Sequence, residues 1–209
     1  MNHHLAPRGK PQQARSRATY DHITKTSLLL LEEVGIEGFN TNLLAQRAGM
    51  SQRAIYRYFP NKLSILVELS SGLHILERQW IGNLQVVQLG SDWRDYVNDA
   101  IDGYFEAASK WPGFAALRAA SQAVPELRAL DELESKKIEA DLSIGLRALG
   151  ISVAPQKLET LCRLITETTN RIMDVALLGE KPTSKLLVDE LKRMLINLLA
   201  DYIPNEVAP

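Results

Sequence analysis

With 209 residues, 45% of them hydrophobic, the chain can bury the core of one large domain or two small ones. Its single cysteine excludes an intramolecular disulfide, no apolar run reaches the ~20 residues of a membrane span, and the N-terminus lacks the apolar centre of a signal peptide, so we expect a soluble cytoplasmic protein. The net charge of −1 divides unevenly, because residues 1–62 hold nine Lys/Arg against four Asp/Glu and residues 63–209 hold fifteen against twenty-one. Only the N-terminal end is therefore expected to meet a polyanion.

Helical periodicity dominates the sequence and predicts an all-α protein of about nine helices, with no alternating strand pattern. Residues 1–15 are polar, contain two prolines and a glycine, and predict a flexible basic arm. The first helix should end at Gly35, and residues 85–92 should form a connection. The predicted helices span about 17–34, 41–48, 51–59, 61–84, 93–111, 114–123, 126–149, 155–178 and 183–203.

The stretch TNLLAQRAGMSQRAIYRYFPNK, residues 41–62, places two short helices around one glycine. Gly49 suits a turn that needs a positive φ, and Ser51 stands where an N-cap belongs. Met50 and Ile55 have the spacing of a hydrophobic staple, and Ile55 and Phe59 share an inward face. The outward face is left with polar and basic side chains, namely Gln52, Arg53, Tyr56 and Arg57.

This layout predicts a helix-turn-helix whose last helix enters the major groove of duplex DNA. Gln52 and Arg53 lie at its N-terminal end, where glutamine can pair with adenine and arginine can grip guanine. The alternative is an ordinary helical protein in which two helices happen to flank a glycine turn and the basic face is merely solvated. The cap, the staple and the charge asymmetry favour DNA binding.

Residues 17–66 resemble the N-terminal domain of the tetracycline-repressor (TetR) family of bacterial transcription regulators, because turn, cap and the closing aromatic-Pro-Asn-Lys stand at family spacing. The resemblance implies a homodimer that binds a near-palindromic double-stranded DNA operator, usually as a repressor, and that a small-molecule effector releases. By position it implies phosphate contacts from Thr41, Ser51, Tyr56 and Lys62, base contacts from Gln52, Arg53, Ala54 and Arg57, and a phosphate or sugar contact from Tyr58. Many members have glycine followed by Ser/Thr where this chain has Arg53 and Ala54, so the operator cannot be taken from them.

The arm and the first helix add a further candidate contact. Arg17 and the basic residues before it could enter the minor groove, as arms of other helix-turn-helix proteins do. The alternative is a disordered tail that only adds solubility. The predicted domains are therefore the arm at 1–15, a DNA-binding domain at 16–62 and a helical ligand-binding and dimerisation domain at 63–209.

The C-terminal body offers a candidate pocket and a candidate interface. Aromatic and apolar residues on and after the fifth helix are either plain core or pocket wall, and polar residues on the eighth helix favour a pocket. The pocket candidates are Val97, Ile101, Tyr104, Phe105, Trp111, Phe114, Thr166, Thr169, Asn170 and Met173. The ninth helix is apolar over more than half of its circumference, so one stripe needs a partner. The interface candidates are Leu187, Leu191, Met194, Leu198 and Tyr202.

No His/Cys/carboxylate spacing in the sequence predicts a metal site, and no nucleophile elbow or phosphate-binding loop is present. We therefore expect neither a cofactor nor an enzymatic activity. Two alternatives to the ligand-responsive repressor remain: a helical small-molecule-binding protein or enzyme with a vestigial helix-turn-helix, and a DNA-binding protein without an effector.

Overall fold

The computed structural model describes residues 11–81, 92–179 and 181–203. Over these residues the chain is all-α, as predicted, and forms nine helices. They are α1 (Ala14–Gly38), α2 (Thr41–Ala48), α3 (Gln52–Tyr56), α4 (Lys62–Ile81), α5 (Trp93–Ser109), α6 (Phe114–Ala123), α7 (Pro125–Ala148), α8 (Pro155–Leu178) and α9 (Lys181–Ala200).

The predicted bounds of α2, α6 and α8 match the structure, and among the other helices three of the differences have local reasons. Gly35 adopts φ +65°, as expected for a residue that ends a helix. The chain then resumes helical form up to Gly38, so α1 is kinked at Gly35 rather than ended there. α3 is shorter than predicted and stops at Tyr56. Pro125, expected to end α6, instead begins α7, because a proline at the first helical position has no N–H to leave unpaired.

Three predicted features fall partly or wholly outside the described residues. Of the predicted connection at 85–92, only Asp92 is described, and its carboxylate accepts the backbone N–H of Arg94 at the start of α5. Most of the predicted arm also lies outside, and its last residues, Ala14 and Arg15, form the first turn of α1. The proline expected to stop α9 lies beyond the described residues, and α9 ends at Ala200.

The chain divides into two compact units, and the first consists of residues up to 74 together with 111–131. Its core joins α1, α2, α3 and the first half of α4 to α6 and the start of α7. The fully buried side chains of this core include Ile23, Leu30, Leu31, Phe39, Leu44, Ile55, Phe59, Ile65 and Leu117. At the edge of the unit, buried Arg118 donates to Asp131 over 3.1 Å, and His74 lies 3.2 Å from the same carboxylate.

The second unit consists of residues 75–110 and 132 onwards, and α5, α8 and α9 pack together within it. Its buried apolar residues include Val97, Ile101, Ile138, Leu142, Leu161, Ile165, Leu195 and Leu199. The hydroxyl of Tyr104, which is 1% exposed, donates to the Glu77 carboxylate over 3.0 Å. Lys192 on α9 bonds Asp102 on α5 over 2.8 Å, which ties these two helices at the surface.

The compact units are not the predicted domains, because the first unit takes in α6 and part of α7 as well as the helix-turn-helix. The predicted division at residue 62 is a division by function, and it stays a prediction. The compact units are instead defined by packing, because α6 buries its apolar face against α1.

Gly103 allows a close approach within the second unit that alanine would obstruct. A Cβ added there would lie 2.2 Å from the ring of Trp80, whereas one added at Gly72 would lie 3.3 Å from Trp111. Alanine favours a helix over glycine by about 1 kcal/mol, but overpacking costs about 1–3 kcal/mol. We expect Gly103→Ala to lower the free energy of unfolding, and Gly72→Ala to leave it within about 1 kcal/mol of the parent. Urea denaturation of both variants measures the difference, and equal stability would contradict the contact.

Candidate DNA-binding surface and C-terminal cavity

The turn between α2 and α3 is fixed by two side-chain caps and one glycine. Asn40 Oδ1 accepts the backbone N–H of Leu43 over 2.9 Å at the start of α2. Gly49 follows with φ +64°, in the left-handed region that favours glycine. Ser51 Oγ then accepts the N–H of Ala54 over 3.3 Å, as an N-cap does. The structure thus contains the predicted helix–turn–helix geometry.

α3 is anchored on one side and exposed on the other. Ile55 and Phe59 are completely buried, and the Phe59 ring lies 4.9 Å from the ring of Tyr20 on α1. The opposite side carries the four predicted outward residues, all exposed; we call them the reading face: Gln52, Arg53, Tyr56 and Arg57. Ala54 and Tyr58 are half-buried at its margins. Burial of one side therefore presents the other side of a short helix to solvent.

The two arginines of the reading face are available to a ligand. Neither Arg53 nor Arg57 forms an ion pair within the ranges that the structure describes. Together with Ser51, Ala54 and Tyr56 they line an open concavity at the surface. A guanidinium without an internal partner retains all five of its N–H donors for an acceptor from outside.

Thr41 and Tyr56 come together as a pair of hydroxyls beside the reading face. Thr41 Oγ1 lies 3.0 Å from Tyr56 Oη, although fifteen residues separate them in sequence. Thr41 is the first residue of α2, whose backbone N–H groups favour an anion. Each hydroxyl has one proton, and one of the two protons is used in this bond, so the pair as it stands can donate one hydrogen bond to a phosphate oxygen.

Lys62, which was predicted to contact a phosphate, also forms a hydrogen bond within the protein. Its Nζ donates to the carbonyl oxygen of Ile36 over 2.6 Å and lies 5.9 Å from the centre of the Phe39 ring. Partial burial lowers the pKa of the Lys62 ammonium below its ordinary value. An ammonium has three donors, so one bond to Ile36 leaves donors for a phosphate. The side chain also ties the start of α4 to the end of α1.

The helix-turn-helix is further braced by side chains on α1 that sequence reasoning missed. Arg47 on α2 makes a two-pronged bond to the carboxylate of Glu33, with distances of 2.7 and 2.6 Å. That guanidinium holds the pKa of Glu33 below its ordinary value. His22 Nε2 lies 3.1 Å from the carbonyl oxygen of Ala48, next to the turn. Arg17, the predicted arm contact, lies exposed near the start of α1.

The predicted pocket residues do not form one group. Trp111 and Phe114 belong to the first compact unit, and the others belong to the second. Val97, Ile101 and Thr169 line a small cavity of about 40 Å³ in the second unit. Tyr104, Thr166 and Met173 are buried but do not line it, and Phe105 and Asn170 are half-buried outside its wall.

Most of the cavity wall comes from residues that sequence reasoning missed. These are Tyr96, Ala100, Leu142, Leu146, Ile165, Leu195 and Leu199. Burial raises the pKa of the Tyr96 hydroxyl to about 12. Helical spacing identified the inward faces of α5 and α8 but could not show that α7 and α9 would complete the same cavity.

The predicted interface residues divide between surface and core. Met194 is exposed on α9, Leu187 and Leu198 are half-exposed there, and Tyr202 is half-exposed just after the end of that helix. Leu191 is 2% exposed and packs inside the chain, so the prediction for this residue is corrected. Four further apolar side chains are exposed on the two last helices, namely Leu164, Val175 and Leu178 on α8 and Leu186 on α9.

Fold and reading face together define a helix-turn-helix protein of the transcription-regulator class. Residues 23–69 match the model of the bacterial regulatory proteins of the tetR family, and residues 92–199 match that of the tetracyclin repressor-like C-terminal domain. The second match alone covers more than half of the chain. The chain therefore belongs to the TetR family of transcription regulators, a family that is not enzymatic.

Known relatives are similar over part or most of the chain. The class C tetracycline repressor of Escherichia coli is 27% identical over 124 residues, which cover 59% of this chain and 55% of that repressor. The chain thus spans only about half the length of the curated relatives that it matches.

Among solved structures, a transcriptional regulator from Rhodococcus sp. Rha1 has a TM-score of 0.68 at 22% identity, covering 90% of this chain and 98% of that one. SmeT, the repressor of the Stenotrophomonas maltophilia multidrug efflux pump SmeDEF, has a TM-score of 0.69 at 17% identity, with coverage of 95% and 94%. AibR in complex with isovaleryl coenzyme A and operator DNA has a TM-score of 0.61 at 15% identity, with coverage of 85% and 97%. At these identities the likeness shows the fold alone.

Two further findings concern membranes and metal ions. None of the helices in the described ranges combines the length and apolar character needed to cross a lipid bilayer. In the same ranges, no three His, Cys, Asp or Glu side chains gather as a metal ion would require.

Proposed function

We propose that this regulator is a repressor that binds a near-palindromic operator as a homodimer and is released by a small-molecule effector. The single observation that carries the DNA-binding part is the reading face, whose Gln52, Arg53 and Arg57 are exposed while Ile55 and Phe59 anchor the same helix. Such a surface can enter a major groove about 12 Å wide. The function places the protein in the cytoplasm, where bacterial DNA is found.

Contacts to DNA are proposed in two groups. Thr41, Ser51, Tyr56 and Lys62 would hold phosphates, Tyr58 would contact a phosphate or sugar, and Arg17 would enter the minor groove. Gln52, Arg53 and Arg57 would contact base edges, and Ala54 could touch a thymine methyl group. Phosphate contacts position a protein on DNA, and base contacts give it sequence preference.

Dimerisation is proposed through the exposed apolar side chains of α8 and α9. Val175 and Met194 are 41% and 44% exposed, and Leu164, Leu178 and Leu186 extend the apolar surface along the same two helices. Residues of this kind gain about 25 cal/mol for each Å² that a partner buries. A two-fold dimer also supplies two reading faces, which matches the two half-sites of a palindrome.

Repression and effector release rest on relatives as well as on the cavity. The curated relatives are tetracycline repressors, and SmeT is a repressor of an efflux pump. AibR was solved with a small molecule and operator DNA together. The cavity in the second unit supplies a place where a molecule could bind. An effector releases DNA only if it binds the DNA-incompetent conformation more tightly, typically by about 1–3 kcal/mol.

The experiment that tests DNA binding selects bound sequences from a random pool of duplexes and then compares two variants. Arg53→Ala is expected to relax preference at one base pair per half-site, with a loss of about 1–3 kcal/mol for the selected base. Lys62→Ala is expected to weaken all sequences evenly and to lower stability as well, because it removes the bond to Ile36.

Arg94→Ala is the control, since it removes a half-exposed arginine in the second unit and should change neither the sequence preference nor the affinity for DNA. A uniform loss of affinity in Arg53→Ala would reject its base-reading role. Failure to select any sequence would reject the proposed function.

A further inference from the structure

The inner side of α8 carries polar atoms that burial has separated from water. Thr166 and Thr169 are 0% exposed, yet neither hydroxyl forms a hydrogen bond within the part of the chain that is described. The Oδ1 atom of half-buried Asn170 is likewise buried and without a partner there. Spacings of three and four residues place all three on one side of a helix.

An unsatisfied buried polar group is costly, and its repetition on one helix face calls for an explanation. Leaving one hydroxyl or amide oxygen unpaired costs about 1–3 kcal/mol. A threonine in a helix can bond to the carbonyl oxygen one turn earlier without help from water, as the exposed Thr160 does to Gln156 over 2.7 Å. Thr166 and Thr169 lack that bond, so the hydrogen-bonding capacity of both buried hydroxyls is unused within the described residues.

Thr169 is the one of these residues that lines the cavity. The other wall residues come from α5, α7, α8 and α9 and are aliphatic apart from Tyr96. No charged side chain belongs to this wall among the described residues. Glu77 and Asp174 are buried in the same unit but lie outside the wall, and Glu77 accepts the hydroxyl of Tyr104. The cavity is therefore an apolar space bordered by Thr169, whose buried hydroxyl a molecule would reach only by displacing the present wall.

We propose that this cavity takes a small, uncharged, mainly aliphatic molecule with one hydroxyl or carbonyl group, which pairs with Thr169 Oγ1. This inference rests on the proposed function, in which the molecule is the effector. A charged ligand is disfavoured because the wall supplies no counter-charge, and burying an unpaired ion costs several kcal/mol. The present volume of about 40 Å³ is close to that of one water molecule in the liquid, so a ligand of several carbons must spread the aliphatic wall.

That expansion gives the ligand a route to an effect on conformation. Leu195 and Leu199 on α9 and Leu142 and Leu146 on α7 would have to move apart around it. Close-packed interiors transmit such displacements rather than absorb them. A ligand that binds only the expanded form shifts the population towards that form.

The test uses three probes of equal chain length: 1-hexanol, hexanoate and hexylammonium. Binding to the full chain at pH 7, without DNA, is measured by calorimetry. We expect 1-hexanol to bind at least about tenfold more tightly than either ion, because only the ions must lose hydration without a partner. Thr169→Val is expected to weaken hexanol binding about two- to tenfold, the range for one hydrogen bond.

Three controls keep the result interpretable. Thr160→Val removes a hydroxyl from the exposed side of α8 and should leave hexanol binding unchanged. Ala100→Leu adds a larger side chain that fills the cavity, and it should abolish hexanol binding. Thermal melting should show Thr169→Val to be at least as stable as the parent, since valine has the same shape and no unpaired hydroxyl.

The inference is overturned if either ion binds as tightly as hexanol. It is also overturned if the affinity for hexanol is the same in the parent, Thr169→Val and Ala100→Leu. It is also overturned if hexanol gives no binding at about 10 mM, because a dissociation constant near 1 mM needs only about −4.1 kcal/mol. Operator affinity is measured separately. If hexanol binds through Thr169 and operator affinity is unchanged, effector release fails while the cavity inference stands.

Discussion

Phe59→Ala is expected to lower the free energy of unfolding of the first compact unit by about 3–5 kcal/mol, the usual cost of removing a buried phenylalanine ring. Phe59 is completely buried, packs against Tyr20 and follows the short α3 directly. A helix of five residues has almost no stability of its own, so its position depends on Ile55 and Phe59. Loss of the ring should therefore release the reading face as well as destabilise the unit.

The measurement combines urea denaturation with operator binding. Phe59→Leu keeps most of the apolar volume and should lose less stability. Phe105→Ala is the control in the other unit, because its side chain is half-buried and lies far from α3 in sequence. It should leave operator affinity unchanged at temperatures where the protein is folded. An operator affinity for Phe59→Ala equal to that of the parent would mean that α3 holds its place without this anchor.

The helix-turn-helix could be predicted from sequence because the features that begin and turn its helices are local. The caps at Asn40 and Ser51 and the turn at Gly49 act within four residues of themselves. The staple and the inward pair Ile55 and Phe59 follow from helical spacing alone. A single sequence carries this information directly, and the structure confirms the helices and turn.

Contacts between distant residues could not be predicted in the same way. Lys62 meets the carbonyl of Ile36 across twenty-six residues, and Gly113 places its backbone near Leu28 O across eighty-five. The second contact brings α6 against α1, so Trp111 and Phe114 belong to the first compact unit and not to the pocket in which they were predicted. Helical spacing names the apolar side of a helix but not the helix that covers it.

The same limit explains Leu191. The ninth helix has apolar residues on more than half of its circumference, and sequence shows that this is more than one neighbour can cover. It does not show which part turns inward. The structure buries Leu191, Leu195 and Leu199 and leaves Met194 exposed, so the surface part of α9 is now defined.

Val175→Glu combined with Met194→Glu is expected to convert the proposed dimer into a monomer. Both side chains are more than two-fifths exposed, one on α8 and one on α9. Placing like charges in an apolar interface adds repulsion and the cost of burying unpaired ions. In a dimer, the second reading face binds as an intramolecular event, which typically raises affinity by about 10²–10⁴. Operator affinity should fall by that factor.

Salt dependence separates a lost dimer from a damaged reading face. If each subunit neutralises three or four phosphates, the dimer neutralises roughly 6–8, and the slope of log affinity against log salt is about −5 to −7. A monomer that keeps an intact reading face should show about half that slope. Damage to the face itself would instead abolish sequence preference. Sedimentation velocity at micromolar concentration reports the oligomeric state of the same samples.

Ile144→Glu is the matched control, because Ile144 is 54% exposed on α7 in the same compact unit. The substitution adds a charge of the same kind to an apolar surface residue. If α8 and α9 form the interface, this variant stays a dimer with the full salt slope. If it becomes a monomer while the Val175/Met194 variant does not, the interface lies on α7. The exposed apolar residues of α8 and α9 would then need a different partner.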